Sequence, residues 1–170
     1  MRRMLLGALA ALLVACGQGS GPSSQRAASN EACALIEDAA AIFGANADVV
    51  ANEGDAPIAA DCQFTSADGT RYGEVVLFNA QSLGAVTPQA QVATLATGWD
   101  GATETALAAV EGLGEEAQRA TDLPGGQTQI AFRKGANVVA VLGSSGDAQM
   151  SGDQIARALA AAAAAKLPAQ

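Results

Sequence analysis

The sequence predicts an α+β domain that follows a membrane-directing leader. Two segments have the alternating apolar residues and the turn residues of β-hairpins, and three have the apolar spacing and the capping residues of helices. The chain that follows the leader has a length that suits one domain, which we place at residues 31–168.

The leader has the organisation of a secretory signal. Two arginines give it a positive start, residues 4–14 form an apolar run, and small residues precede the cleavage point. Its last residues resemble the lipobox of bacterial lipoproteins, in which a cysteine sulfur is joined to diacylglycerol; they are Leu13, Val14, Ala15 and Cys16. The resemblance implies a lipoprotein signal peptide at residues 1–15, lipidation of Cys16 and attachment to a membrane. Several acyl chains on one cysteine hold a protein stably.

A transmembrane helix and an ordinary secretory leader are the alternative interpretations of this segment. A spanning helix needs about 20 apolar residues, whereas the run at residues 4–15 is shorter and is followed directly by a segment rich in Gly and Ser. Gly17 occupies the position at which lipoproteins retained in the enterobacterial inner membrane carry Asp. The expected location is therefore the cell envelope, at the outer membrane facing the periplasm if the organism is Gram-negative.

Residues 16–30 are expected to form the lipidated N-terminus and a flexible tether, because they are rich in Gly, Ser, Gln and Ala and carry no large apolar side chain. The root-mean-square reach of such a tether is about 20 Å. Loss of the leader removes two arginines, so seven basic residues face 17 acidic ones and the net charge becomes −10. Such a surface disfavours nucleic acid and anionic head groups as partners.

Cys33 and Cys62 are the two cysteines that lipidation leaves over. In an oxidising compartment an even pair predicts one disulfide. It would close a loop of about 30 residues and contribute roughly 3.5 kcal/mol on the chain-entropy model. Free thiols are the alternative. Metal binding is disfavoured, because two thiols without any histidine form a poor site, and no cofactor is predicted.

The first predicted helix begins at a cap formed by Ser29 or Asn30 and ends at Gly44. Its apolar positions recur at helical spacing, namely Leu35, Ile36, Ala39, Ala40 and Phe43. Residues 46–58 are predicted to be a loop, and the Asn and acidic residues within it do not have the ligand spacing of an EF-hand calcium site.

The first hairpin has a predicted turn at Asp68 and Gly69. Its second strand is predicted at residues 72–79, and its first strand alternates Ala60, Cys62 and Phe64 with Asp61, Gln63 and Thr65. Since Cys62 points to the same side as Ala60 and Phe64, a bond to Cys33 would attach the first helix to that side of the sheet.

Thr87 and Pro88 predict the cap and the first residue of a second helix. Gly98 can end this helix, and its apolar stripe is formed by Val92, Leu95 and Ala96 and can extend to Trp99. Residues 101–110 suit either a helix or a strand, because they are rich in both Ala and Thr.

The second hairpin has a predicted turn at Lys134 and Gly135 and a buried strand at residues 138–142. Its first strand places Thr128, Ile130 and Phe132 on one side. The last helix begins at Ser151, with Gln154 completing a capping box, and ends before Pro168. Its predicted apolar face is formed by Ile155, Leu159, Ala162 and Ala163.

This order of elements resembles that of small cell-envelope lipoproteins, many of them actinobacterial, which have a PsbP-like fold and no established function. The resemblance spans most of residues 33–167 and is carried by Cys33, Ala34, Leu35, Cys62, residues 112–117 and residues 133–139. It implies a PsbP-like sandwich, in which an antiparallel sheet of about four to six strands is packed by about three helices. It implies no known activity.

The residue types give little support to catalysis. The chain has no histidine, which excludes Ser-His-Asp and Cys-His arrangements and histidine metal sites. Ser144 and Ser145 lie between glycines in a predicted plain turn, and they match neither a nucleophile elbow nor a phosphate-binding loop. Glu115 and Glu116 are predicted to lie in a turn, and adjacent side chains point apart in helices and strands. No catalytic residue is predicted.

Two classes of function remain open. The first is a non-catalytic binding or interaction module, held at the membrane by its lipid and meeting an envelope protein, a lipid or a small ligand. The second is an envelope enzyme that uses carboxylates or a hydroxyl nucleophile without histidine. We favour the binding module, since no catalytic constellation is visible. A pocket that gathers carboxylates with raised pKa values would favour the enzyme, whereas an exposed patch would favour binding.

Overall fold

The computed structural model describes residues 30–83, 87–97 and 106–168. The strands are β1 (Asp48–Glu53), β2 (Ile58–Thr65), β3 (Arg71–Asn79), β4 (Leu107–Ala109), β5 (Glu116–Leu123), β6 (Gln127–Lys134) and β7 (Asn137–Ser145). The helices are α1 (Glu31–Ala34), α2 (Ala39–Phe43), α3 (Pro88–Ala96) and α4 (Gly152–Lys166), with a 3-10 helix at Ala80–Leu83. The strands form one antiparallel sheet in the order β1-β2-β3-β7-β6-β5-β4. The predicted α+β class is confirmed, with seven strands where the sequence predicts four to six.

Several predicted features lie outside the described residues. These are the signal peptide, the lipidation site at Cys16, most of the tether, Ser29, Gly98, Trp99 and the first part of the ambiguous segment, residues 101–105.

Helices pack on both faces of the sheet. The first face carries Cys62 and Phe64 of β2 and is covered by α1, α2 and α4. The second face, formed by the alternate side chains, is packed by α3 over β5, β6 and β7 and by the 3-10 helix at the end of β3. The larger buried cluster lies on the first face, where Phe132 of β6 and Leu159 of α4 are fully buried.

The first helical segment consists of two short helices, and the prediction of one helix is wrong. The predicted cap is confirmed at its start, because the Asn30 side chain accepts a hydrogen bond from the Cys33 N–H at 2.9 Å. Asp38 then caps α2 by accepting from the Ala41 N–H at 3.2 Å. A side chain that bonds to the backbone in this way favours a new helix start over continuation of the preceding helix. Gly44 ends α2, as predicted.

The structure contains two strands that the sequence does not predict, and a third in the segment that the sequence leaves open between helix and strand. β1 lies within the predicted loop at residues 46–58, β4 lies in the ambiguous segment, and β5 begins at Glu116, which is predicted to lie in a turn. β1 and β4 are edge strands with mostly exposed side chains. Two buried positions of β5 are small, at Ala117 and Ala120. Strands that bury so little apolar surface show weak alternation in sequence.

The plain turn predicted at Ser144 and Ser145 is also wrong. β7 continues through both residues, with Ser144 opposite Tyr72 and Ser145 opposite Arg71. Pairing with the long β3 extends β7 beyond its last large apolar residue, which is Leu142. Neither serine lies on a strained turn of the nucleophile-elbow type.

The predicted hairpins and the last helix are confirmed. β2 pairs with β3 around the turn that contains Asp68 and Gly69, and β6 pairs with β7. Lys134 still belongs to β6, so the second turn lies one residue later than predicted. The capping box of α4 is present, with hydrogen bonds in both directions between Ser151 and Gln154.

Helix α4 approaches β7 closely at Gly143. A Cβ atom built on Gly143 would lie 2.6 Å from the backbone nitrogen of Ala156 and even nearer to the carbonyl oxygen of Gly152. Backbone atoms of a helix cannot move aside individually. The absence of a side chain at Gly143 therefore determines how near α4 lies to the sheet.

Candidate functional site

A disulfide between Cys33 and Cys62 attaches α1 to β2, with the two Cα atoms 5.0 Å apart. Cys62 is fully buried on the first face of the sheet, beside Ala60 and Phe64. The sequence predicts this pair and this side of the sheet. The chain has three cysteines, so the bond leaves Cys16 as the remaining one.

Asn30 fixes the point at which the chain enters the described domain. Its side-chain amide donates to the carbonyl oxygen of Asn52 at 2.9 Å and to that of Asp61 at 2.8 Å. These acceptors lie on the paired strands β1 and β2, and the same side chain caps α1. One asparagine thus ties the first helix to the β1 edge of the sheet.

The two adjacent glutamates do not form an acid pair. The Glu115 carboxylate accepts from the Gly135 N–H at 3.0 Å and so supports the turn between β6 and β7, whereas Glu116 lies opposite Arg133 in the sheet. Together with Pro88, these four residues line a cavity of about 250 Å³. Glu115 has a structural partner in the turn.

Side chains from β1, β2 and β3 form a surface on the second face, which we call the open sheet face. Its members are exposed or half-buried, in contrast to the buried side chains under α3. They are Asp48, Val50, Asn52, Asp61, Gln63, Thr65, Tyr72 and Glu74. The register places Val50, Gln63 and Glu74 in one row across the three strands. Asp61 lies in the next row, diagonal to Glu74.

Glu74 is the most perturbed acid of this surface. Burial among its neighbours raises the pKa of Glu74, and the negative charge of Asp61 raises it further. Two hydrogen bonds oppose this shift, one from Gln63 and one from the Tyr72 hydroxyl, which donates to Oε2 of Glu74 at 3.3 Å. Burial and the charge of Glu74 in turn raise the pKa of Tyr72. Asp61 accepts a hydrogen bond from the Asn52 amide at 2.8 Å.

The basic side chains of the described domain are bonded elsewhere. Arg119 and Arg157 both bind Asp153, with nitrogen–oxygen distances of 2.8 Å. Arg71 lies 3.0 Å from Asp147. Lys166 forms an ion pair with Glu37. Lys134 donates to the backbone oxygen of Ala164, and Arg133 donates to that of Gly135. In the described ranges, no ion pair reaches the open sheet face.

A carboxyl group with a raised pKa, such as Glu74, can hold and release a proton. The three cavities that we describe do not contain it, however. They lie at the Glu115 turn, at the ends of β2 and β3 near Asn79 and Asn137 (about 360 Å³), and beneath α4 near Leu113 and Arg157 (about 200 Å³). Glu74 lies half-buried among the side chains of the open sheet face and lines none of these three cavities.

Among residues 30–83, 87–97 and 106–168, no group of three or more cysteine or carboxylate side chains is arranged to hold a metal ion. None of the helices in these ranges has the length and the apolar character needed to cross a bilayer.

The sequence does not by itself predict the open sheet face, although part of the pattern is visible in β2. The polar set Asp61, Gln63 and Thr65 alternates with a buried set in β2, which indicates one solvent-facing side. What the sequence does not indicate is the partner row on β3, because Tyr72 and Glu74 become neighbours of Asp61 only through strand pairing.

Comparisons with protein families, with curated proteins and with solved structures found no match.

Proposed function

We propose that this protein is a lipid-anchored lipoprotein of the bacterial cell envelope, whose folded domain is a non-catalytic binding module. The observation that carries the proposal is the disulfide between Cys33 and Cys62. A structural disulfide is typical of proteins in oxidising compartments such as the periplasm. It also uses two of the three cysteines and leaves Cys16, at the end of the lipobox-like segment, available for acylation.

Two features support a binding role over catalysis. The chain lacks histidine, and Glu74, whose carboxyl pKa is raised by burial and by Asp61, lies half-buried on the open sheet face. The domain is also joined to the proposed anchor at Asn30, on the β1 edge next to the open sheet face.

We further propose kinship with the PsbP-like lipoproteins. The antiparallel sheet with helices on both faces supports this kinship.

The test of the anchor is metabolic labelling of the full-length protein in a bacterial host with an alkyne analogue of palmitate. Wild type is expected to incorporate the label and to enter the detergent phase on partitioning with Triton X-114. Cys16→Ser is expected to lose both properties, because the thiol is the point of attachment.

The matched control is the double variant Cys33→Ala and Cys62→Ala, which removes two thiols and keeps Cys16. It is expected to keep the label. Labelling of Cys16→Ser at the wild-type level would show that acylation occurs elsewhere or that the lipobox interpretation is wrong.

A further inference from the structure

The open sheet face has an unbalanced charge. It carries the carboxylates of Asp48, Asp61 and Glu74, and its other members are Val, Asn, Gln, Thr and Tyr residues. All six described lysines and arginines lie elsewhere and are bonded to other groups. The negative potential of this surface is therefore not neutralised from within the described domain.

Within residues 30–83, 87–97 and 106–168, the side-chain donors to Asp61 and Glu74 are neutral. Asp61 is bonded by the Asn52 amide, and Glu74 by the Tyr72 hydroxyl and by Gln63. Such hydrogen bonds orient a carboxylate but leave its charge in place. The remaining charge of Asp61, together with burial, disfavours the ionised form of Glu74 and raises its pKa. A cation placed between the two groups would relieve this repulsion.

The surface also offers apolar contact beside the charges. Val50 is 42% exposed in the row that contains Glu74, and the half-buried Tyr72 lies in the neighbouring row, where its hydroxyl donates to Glu74. Lysine and arginine side chains have apolar stems that pack on such groups while their charged ends reach carboxylates. β1 is the outermost strand, so the face is accessible from its side.

We propose that the open sheet face docks a basic segment of a partner protein, whose Lys or Arg side chains bind Asp61 and Glu74 and pack on Tyr72 and Val50. The inference rests on the proposed binding function and names the chemistry of the partner. Charge complementarity selects this occupant, because bilayer head groups and nucleic acids are commonly anionic and would be repelled. A metal ion is disfavoured, since the described residues contain no arrangement of three ligands for it.

The test uses the full acylated protein in detergent micelles and a fluorescein-labelled nonapeptide of alternating Lys and Val, followed by fluorescence anisotropy at low salt. The comparison peptide alternates Gln and Val. Wild type is expected to bind the Lys peptide at least tenfold more tightly than the Gln peptide. Equal binding of the two peptides would overturn the proposal.

The variant Asp61→Asn with Glu74→Gln is expected to weaken binding of the Lys peptide about tenfold. Its matched control, Glu111→Gln with Asp122→Asn, removes the same charge from the opposite end of the sheet and is expected to change binding less than twofold. An equal loss in both variants would indicate long-range attraction to an acidic protein and would reject the docking site. Preferential binding of anionic vesicles over the Lys peptide would also reject it.

Folding and anchoring are checked on the same samples. Glu74→Gln removes a carboxylate whose pKa is raised in the folded state, so the melting temperature at pH 7 is expected to be equal to or above that of wild type. Loss of peptide binding with a normal melting temperature supports the site, whereas a wild-type affinity of the double variant refutes it. Label on Cys16 is scored separately, so failure of the anchor and failure of docking are distinct results.

Discussion

Replacement of Gly143 by alanine is expected to destabilise the domain strongly, although alanine adds one methyl group. The added Cβ would meet the carbonyl oxygen of Gly152 and lie 2.6 Å from the backbone nitrogen of Ala156. Ordinary contacts of a carbon atom are about 3.5 Å. Helix α4 would have to withdraw from β7 by about 1 Å, and such a gap forfeits a quarter to a half of the dispersion energy of the side chains that line it.

The cost is expected at the upper end of the range for overpacked cores, about 3 kcal/mol, since the obstructing atoms belong to the helix backbone. For a domain of about 140 residues, the entropy of unfolding is about 0.3 kcal/mol per degree, so the melting temperature should fall by about 10 °C. Urea denaturation monitored by circular dichroism gives the free energy of unfolding directly.

The matched control is Gly146→Ala in the segment that follows β7. There the nearest atom to an added Cβ is the carbonyl oxygen of Thr70 at 4.0 Å, and the Gly146 N–H that bonds to it is retained. This control is expected to change stability by less than about 0.5 kcal/mol. If Gly143→Ala were as stable as Gly146→Ala, the close packing of α4 on β7 would be refuted.

Two further perturbations test the disulfide and the ion pairs of α4. Cys33→Ala with Cys62→Ala should cost about 3.5 kcal/mol by the chain-entropy relation, and a reductant should lower the melting temperature of wild type but not of the variant. Asp153→Asn should cost about 1 kcal/mol at pH 7, because one partly exposed carboxylate serves both Arg119 and Arg157. Burial opposes the lowering of the Asp153 pKa, but the two arginines outweigh it, so this stability is present above pH 3.8 and lost as pH falls through the folded pKa. Urea midpoints of Asp153→Asn and wild type should converge in acid, and a deficit that grows on acidification would contradict the assignment.

The elements that the sequence predicts correctly are specified by residues that lie close together along the chain. The turn at Asp68 and Gly69 lies between two apolar strands, and the Ser151–Gln154 capping box lies at the start of an apolar helical stripe. Each signal involves residues within a few positions of one another. Cys62 is a longer-range case, because strand alternation determines its side of the sheet and so the face on which α1 is attached.

The sequence does not predict β1 and β5, and it leaves β4 open between a helix and a strand, because these strands have the opposite property. β1 and β4 are edge strands, and β5 buries small side chains such as Ala117 and Ala120. Their conformation depends on hydrogen bonds to a neighbouring strand rather than on an apolar pattern of their own. The break between α1 and α2 has a similar origin, since Asp38 is compatible with either a helix interior or a helix start.

By itself, the sequence predicted the pairing of Cys33 with Cys62 and both hairpins, and its lack of histidine excludes histidine chemistry. These follow from residue type and from spacing along the chain. Only the tertiary structure decided that Gly143 lies under the backbone of α4 and that Asp61 lies diagonal to Glu74 on an exposed face. Both depend on which strands and helices become neighbours in space, because steric limits and charge repulsion act through distance and not through sequence separation.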